Sequence, residues 1–346
     1  MPELRKDPIS DRWVIIATER RMRPSDLSKI PTSVPSEPKS CPFCEGNESK
    51  TPREIPGGTW RASGTEPDKP GWLIRTMANK FPALVIEGDV ERAGSGIFDY
   101  MRGIGAHEVI VETPNHTLHL ADMDENQIEK VLWAYKQRIV DLEKDKRFRY
   151  ILVFKNYGEI AGASLSHPHS QLIATPITPR YVKLELHNSR EYFLEKERCI
   201  FCDMIKQEIS EGSRIVNENE YFVTLAPFAS RFPFEIWLLP RKHHFGFQEL
   251  PDEERIQLAR MLKDILRRIK AVLNDPPYNY MLHTAPNVIP RAGKPDYWGT
   301  VQFDYHWHIE IIPRTTRVAG FEWGSGLYIN PTPPEEAAKY LREALI

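Results

Sequence analysis

The chain has 346 residues, 41% hydrophobic and 27% charged, the composition of an ordinary globular protein of one or two domains. A net charge of −2 supplies no basic field for nucleic acid or an anionic membrane, and no run of eighteen apolar residues is present to span one. The opening MPELRKDPISDRW does not read as a secretion signal, so the expected location is the cytoplasm.

In chain order, the proline-rich 30s read as loop, and Cys41-Pro-Phe-Cys44 follows them. Strand-like segments come next: WLIRTMANKFPALVI at 72–86 and AHEVIVETPNH at 106–116, the second ending in a proline and His116. Ile128, Leu132, Tyr135, Ile139 and Leu142 then recur at three- and four-residue steps, which predicts a helix opened by Asp122 or Asp124. YILVFKN reads as a strand, and GASLSHPHSQLIATP at 161–175 follows it. If that segment is extended, His167, His169 and Gln171 share one face, because the strand period is two. Residues 177–198 read as a helical connector to Cys199-Ile-Phe-Cys202. The order then repeats: a strand region ending in Pro-Arg-Lys-His243, a helix carrying Leu258, Leu262, Ile265 and Ile269, the strand YNYMLH, and HWHIEII. There His306, His308 and Glu310 alternate.

Five features recurring in one order indicate an internal duplication, with an N-terminal half over 1–180 and a C-terminal half over 181–346 in an α+β fold. Two C-x-x-C pairs without a secretion signal read as metal ligands before disulfides. The rival reading is a redox dithiol, which usually heads a helix after a strand, and neither pair follows a clear strand. The repeat supplies two tetrahedral sets: Cys41, Cys44, His116 and His167, then Cys199, Cys202, His243 and His306. With His167 on a metal, His169 remains free as nucleophile or base, and Gln171 can donate to a phosphate oxygen. One imidazole is structural and the other chemical. In the second half Glu310 stands where Gln171 does, and a carboxylate repels phosphate, so His308 is expected to be silent. His119 and His244 read as solvated loop residues, and His283 as core or metal shell.

CPFC, NH and GASLSHPHSQ together resemble the galactose-1-phosphate uridylyltransferase family of the histidine-triad superfamily, over nearly the whole chain. The resemblance implies a duplicated histidine-triad-like fold of antiparallel sheets with packed helices. It also implies a ping-pong reaction: His169 takes UMP from UDP-glucose, and galactose 1-phosphate removes it. Carried over residue by residue, Gln171 matches the phosphate-binding glutamine, Ser164 lies near the phosphates, and Asn156 matches a polar residue before the active strand. Ser170 falls among the substrate-binding positions, and Asn79 and Phe81 in the nucleoside segment. Glu322 falls in the sugar segment. Arg20 and Arg23 match arginines that reach the neighbouring subunit, which implies a homodimer with shared sites. The implied partners are a nucleotide sugar and a sugar 1-phosphate, with neither nucleic acid nor membrane. The implied cofactor is zinc at two sites, or iron at the second, where Glu185 is an alternative ligand to the second C-x-x-C. The departures are Ser170 for the usual glycine, Lys80 for an acid and Phe321 for a tyrosine. They move the chain toward a relative of plant type that transfers AMP from ADP-glucose to phosphate, the alternative reading.

Overall fold

The computed structural model describes residues 1–20, 22–27, 37–290 and 298–346, Arg20 by its backbone alone. The elements are β1 (Glu3–Lys6), β2 (Trp13–Ile16), β3 (Trp60–Arg61), β4 (Trp72–Ala78), the small hairpin β5 (Ala93–Ser95) and β6 (Phe98–Tyr100), β7 (Ala106–Val111), α1 (Glu125–Leu142), β8 (Tyr150–Tyr157) and β9 (His169–Thr175). After α2 (Arg180–Lys196) and α3 (Ile200–Glu211) come β10 (Ile215–Glu218), β11 (Phe222–Leu225), β12 (Ile236–Pro240), α4 (Asp252–Leu273), β13 (Tyr278–His283), α5 (Val301–Asp304), β14 (His308–Pro313), α6 (Gly320–Ser325), β15 (Tyr328–Asn330) and α7 (Pro334–Arg342).

Ten strands join in one antiparallel sheet, ordered β10-β11-β12-β14-β13-β8-β9-β7-β4-β3. The halves meet where β8 pairs with β13, Asn156 opposite Asn279. Outward from that seam, β8-β9-β7-β4-β3 on one side answers β13-β14-β12-β11-β10 on the other, so the duplication read from motifs is a duplication of topology. The α+β architecture with antiparallel pairing is as expected, but the two sheets are fused edge to edge. This fusion protects an edge strand in each half that would otherwise expose unpaired backbone.

α1 and α4 cover one face of the sheet. Asp124, not Asp122, caps α1, its carboxylate accepting the Gln127 N–H at 3.0 Å. Leu132, Ile139, Leu258, Leu262 and Ile265 are fully buried in one apolar cluster with Leu172 and Ala174 of β9. Truncating any of these leucines to alanine would cost ~2–5 kcal/mol. The remaining small sheet is β1-β2-β15, whose Val14 and Ile16 pack on Ala229 of the second half. Among the described residues no helix is long and apolar enough to cross a membrane.

The two His-x-His segments correct one expectation. β9 begins at His169 and β14 at His308, so His167 and His306 precede their strands rather than sharing their faces. In the first case Pro168 has no N–H to give the ladder, although its carbonyl still accepts from Glu112 N at 3.0 Å. His167 is thereby turned out of the alternation, toward the cysteines.

Candidate active site and metal centres

Cys41 and Cys44 lie on the turn before β3, His116 on the loop after β7, and His167 just before β9. Their ligand atoms all lie within 4.8 Å of one another. Cys44 Sγ is 3.2 Å from His116 Nδ1 and 3.5 Å from His167 Nδ1, and Cys41 Sγ is 3.8 Å from His167 Nδ1. Tetrahedral bonds of about 2.0–2.3 Å give ligand-to-ligand edges of about 3.3–3.8 Å, so the four atoms fit one ion. The outward nitrogens are also held, His167 Nε2 by the Thr113 carbonyl at 2.8 Å and His116 Nε2 by Ser166 Oγ at 3.0 Å. Such outer contacts fix ring tautomer and direction at metal sites.

His169 is anchored through the same segment. Its Nδ1 donates to the His167 carbonyl at 2.8 Å, which leaves Nε2 as the available nitrogen. Burial pushes the imidazole below the ordinary histidine pKa, against the opposing effect of that hydrogen bond, so the ring is neutral at pH 7. Phe43 packs against it with centroids 5.3 Å apart. His169 lines a cleft of 420 Å³ together with Gln171, Asn79, Phe81, Ser164 and Lys80. On its other side lies a smaller cavity of 100 Å³, lined by Asn156, Lys155, Ser166 and His119. Asn156 is held from across the seam, its Oδ1 accepting from Asn279 Nδ2 at 2.8 Å.

Behind His169 is a polar floor that the motifs did not disclose. Lys155 Nζ donates to Glu112 Oε2 at 2.6 Å and to the His169 carbonyl at 3.1 Å. Glu112 accepts from Ser170 Oγ, which also meets the hydroxyl groups of Tyr135 and Tyr280. All five side chains are buried. Burial pulls the Lys155 ammonium below its usual pKa, while Glu112 supports the charged form. A sequence signal existed: in YILVFKN, Lys155 occupies the alternation of the inward residues Ile151 and Val153. A lysine in an inward register needs a buried partner.

Comparison with known proteins places these residues in context. The chain matches the family described as galactose-1-phosphate uridyl transferase, N-terminal domain, over residues 1–179, and its C-terminal domain over residues 185–342. The chain belongs to the galactose-1-phosphate uridylyltransferase family. It is 39% identical to ADP-glucose phosphorylase of Arabidopsis thaliana over 99% of this chain and 93% of that protein. Identity to galactose-1-phosphate uridylyltransferase of Thermotoga maritima is 32%, over 99% and 98% of the two chains. A crystal structure of the Arabidopsis thaliana ADP-glucose phosphorylase with bound ADP-glucose superposes with a TM-score of 0.81 at 37% identity, covering both chains fully. The chain is thus an enzyme of this family of nucleotidyltransferases.

Not every residue carried over from that family by motif lies in the cleft. Ser170 is fully buried and points into the polar floor, because strand alternation turns it away from its neighbours His169 and Gln171. Arg23 and Glu322 do not line either cavity beside His169. Glu322 is half-buried and caps α6 through the Ala319 N–H, and Arg23 lies near Met22, which bonds Pro331 and Thr332 after β15. The Arg20 side chain lies outside the described residues. His119 is not a solvated loop residue: it packs edge-on to Tyr157 at 4.7 Å, its Nδ1 is buried without a partner among the described residues, and burial pushes its pKa down to about 3. His244 is half-buried, with burial lowering its pKa.

The second half holds two separate groups where alternatives were expected. Cys202 Sγ lies 3.5 Å from His243 Nδ1 and 3.7 Å from His306 Nδ1, and with Cys199 these ligand atoms converge within 4.8 Å. The cysteine pair here does head a helix, α3, although a helix rather than a strand precedes it. Glu185 does not join that set. It faces His283 at 3.1 Å and converges with His308 and Glu310 in a group of its own.

Proposed function

We propose that this chain transfers the nucleoside monophosphate of a nucleotide sugar through a covalent bond to His169 Nε2. The observation that carries the reading is the commitment of His169 Nδ1 to the His167 carbonyl, beside a cleft holding Gln171, Asn79 and Ser164. In the first half-reaction Nε2 attacks the α-phosphorus, and the bond to the sugar 1-phosphate breaks. In the second, an acceptor phosphate oxygen attacks the same phosphorus, the P–N bond breaks, and the imidazole is released. A neutral imidazole suits both steps, being nucleophilic at pH 7 and a good leaving group from phosphorus. Gln171 and Ser164 supply donors to the charge developing on the phosphoryl oxygens.

The donor we favour is ADP-glucose with inorganic phosphate as acceptor, which reverses the order in which the two donors were expected. The 39% identity to ADP-glucose phosphorylase across nearly the whole chain supports it, as does the likeness to that enzyme's ADP-glucose complex. The second reading, UDP-glucose with galactose 1-phosphate, is supported by the family description and by the 32% identical Thermotoga maritima relative. We further propose zinc in both Cys₂His₂ sets, where it would fix His167, and through it the carbonyl that orients His169. A homodimer in a reducing cytoplasm fits the four free thiols and the position of Arg23 and Glu322 away from their own chain's cleft.

The test is the intact mass of the protein after mixing separately with ADP-glucose and UDP-glucose. Adenylylation by the first alone, discharged by phosphate, is the expected result. Uridylylation by the second alone, discharged by galactose 1-phosphate, would select the other donor. No adduct from either would overturn the covalent reading.

A further inference from the structure

We propose that His107 is a positioning residue that turns the amide hydrogens of Gln171 into the nucleotide cleft, beside those of Asn79, an inference that rests on the transfer reading above. His107 lies on β7, diagonal to Gln171 across the ladder, since Val109 is the direct partner of Gln171 and Ile173 that of His107. The tautomer of its ring follows from its neighbours. Nδ1 accepts the Ala83 backbone N–H at 3.1 Å, and a backbone amide can only donate. A neutral imidazole with Nδ1 accepting carries its proton on Nε2. Nε2 lies 2.9 Å from Gln171 Oε1 and therefore donates to it.

An amide side chain has two nearly isosteric ends, so only its partners decide which end faces the cleft. With Oε1 held by His107, the Gln171 NH₂ is the end left for a ligand. The reverse orientation would present a carbonyl oxygen to a phosphate, two acceptors in contact. Asn79 is set beside it by backbone groups. Its Oδ1 accepts from Phe81 N at 2.9 Å, and its backbone N–H donates to the His107 carbonyl at 2.7 Å. Its Nδ2 lies 3.1 Å from His107 Nε2, donor against donor, so the ring does not take the Asn79 hydrogens. They too remain for an acceptor. Both amides line the cleft that holds His169. The two amides therefore present hydrogens to the cleft, which is complementary to phosphate and ribose oxygens. A single imidazole ties the phosphate contact on β9 to the nucleoside segment after β4.

The experiment measures the single-turnover rate of nucleotidyl-His169 formation by intact mass, over a range of donor concentrations, with ADP-glucose and with UDP-glucose. H107F fills the space of the ring without either nitrogen, and H107Q offers a donor and an acceptor in its place. Metal content and melting temperature confirm the fold of each. H107F is expected to lower the maximal adduct rate by ~10- to ~100-fold, approaching the effect of removing an oxyanion donor. The half-saturating donor concentration should move less than the rate, and H107Q should recover most of the loss. Because the effect passes through Gln171, H107F should add little in a Q171A background. If H107F melts early, H107N, too short to reach Gln171, takes its place. A wild-type rate in H107F, or an undiminished loss in the Q171A background, overturns the role of His107 while leaving the transfer reading intact. A wild-type chain that takes up neither nucleotide overturns both.

Discussion

Lys155→Met tests whether the polar floor behind His169 is held by a buried ion pair. The Lys155 and Glu112 side chains are 1% and 0% exposed and meet at 2.6 Å. Removing the ammonium leaves the Glu112 carboxylate buried with only neutral donors, a loss of ~3–5 kcal/mol for a broken buried pair. With an unfolding entropy of about 2.1 cal/mol/K per residue, a chain of this length loses about 1.4 °C of melting temperature per kcal/mol. The expected drop is therefore about 4–7 °C. Glu112→Gln in the same background removes the unpaired charge and should return much of it, since deleting both ends of a buried pair is often close to neutral. Scanning calorimetry at equal metal content measures both. The adduct rate of the double variant then reports the lost hydrogen bond to the His169 carbonyl separately from stability. A drop below about 1 °C in Lys155→Met, or single-variant losses that simply add, would refute the ion-pair argument.

Three further outcomes are expected. His169→Asn should form no adduct with either donor at unchanged metal content and melting temperature, as mass spectrometry and calorimetry can check; an adduct relocated to His308 would make the second half competent. His167→Asn should lose bound metal and adduct formation together, whereas Cys202→Ser should lose metal and thermal stability but keep a near-wild-type adduct rate, measured by elemental analysis and intact mass. Burial, reinforced by Glu249, raises the Glu143 carboxyl to about 7, above its ordinary 4.5. The fold thus favours the protonated form, and this contribution to stability is complete below pH 4.5 and lost as pH rises through about 7. Glu143→Gln should accordingly melt higher than wild type at pH 8 and converge with it at pH 4.5; a gap independent of pH would contradict the assignment.

The candidate metal ligands were legible because their signal is local: two C-x-x-C pairs and two His-x-His segments recur in one order, and the fold brings each set within 4.8 Å. The helices were legible from their apolar spacing, as Leu132 and Ile139 show. What the motifs missed is carried by registers and distant pairs. Glu112 and Lys155 are 43 residues apart and meet only because β8 and β7 flank β9. Ser170 could have been placed correctly by the alternation that was applied to His169 and Gln171, but the motif match drew it into the cleft. His107 carries no motif at all; its role appears only when the diagonal across β7 and β9 and the loop at Ala83 are both in place. Likewise nothing local announces the seam between β8 and β13, where Asn156 and Asn279, distant in sequence, stand opposite each other and join the halves.

The two halves share a brace and differ in what stands before it. His308 Nδ1 contacts the His306 carbonyl at 3.1 Å, repeating the bond between His169 and the His167 carbonyl. Beyond that bond the environments diverge. Gln171 lines the same cleft as His169, whereas Glu310, in the corresponding place, lines a separate cavity of 280 Å³ that His308 does not border, and is bound by Arg231. Burial opposes ionisation of Glu310, but Arg231 prevails and holds its pKa below the usual carboxylate range. Already paired with Arg231, the Glu310 carboxylate has only acceptor oxygens and no hydrogen to offer a phosphate. Trp237 stacks on His308 at 5.2 Å. On the proposed reading, an imidazole poised by its own backbone is not sufficient for phosphoryl chemistry, and the half that transfers the nucleotide is the one in which a donor, Gln171, rather than an acid follows it.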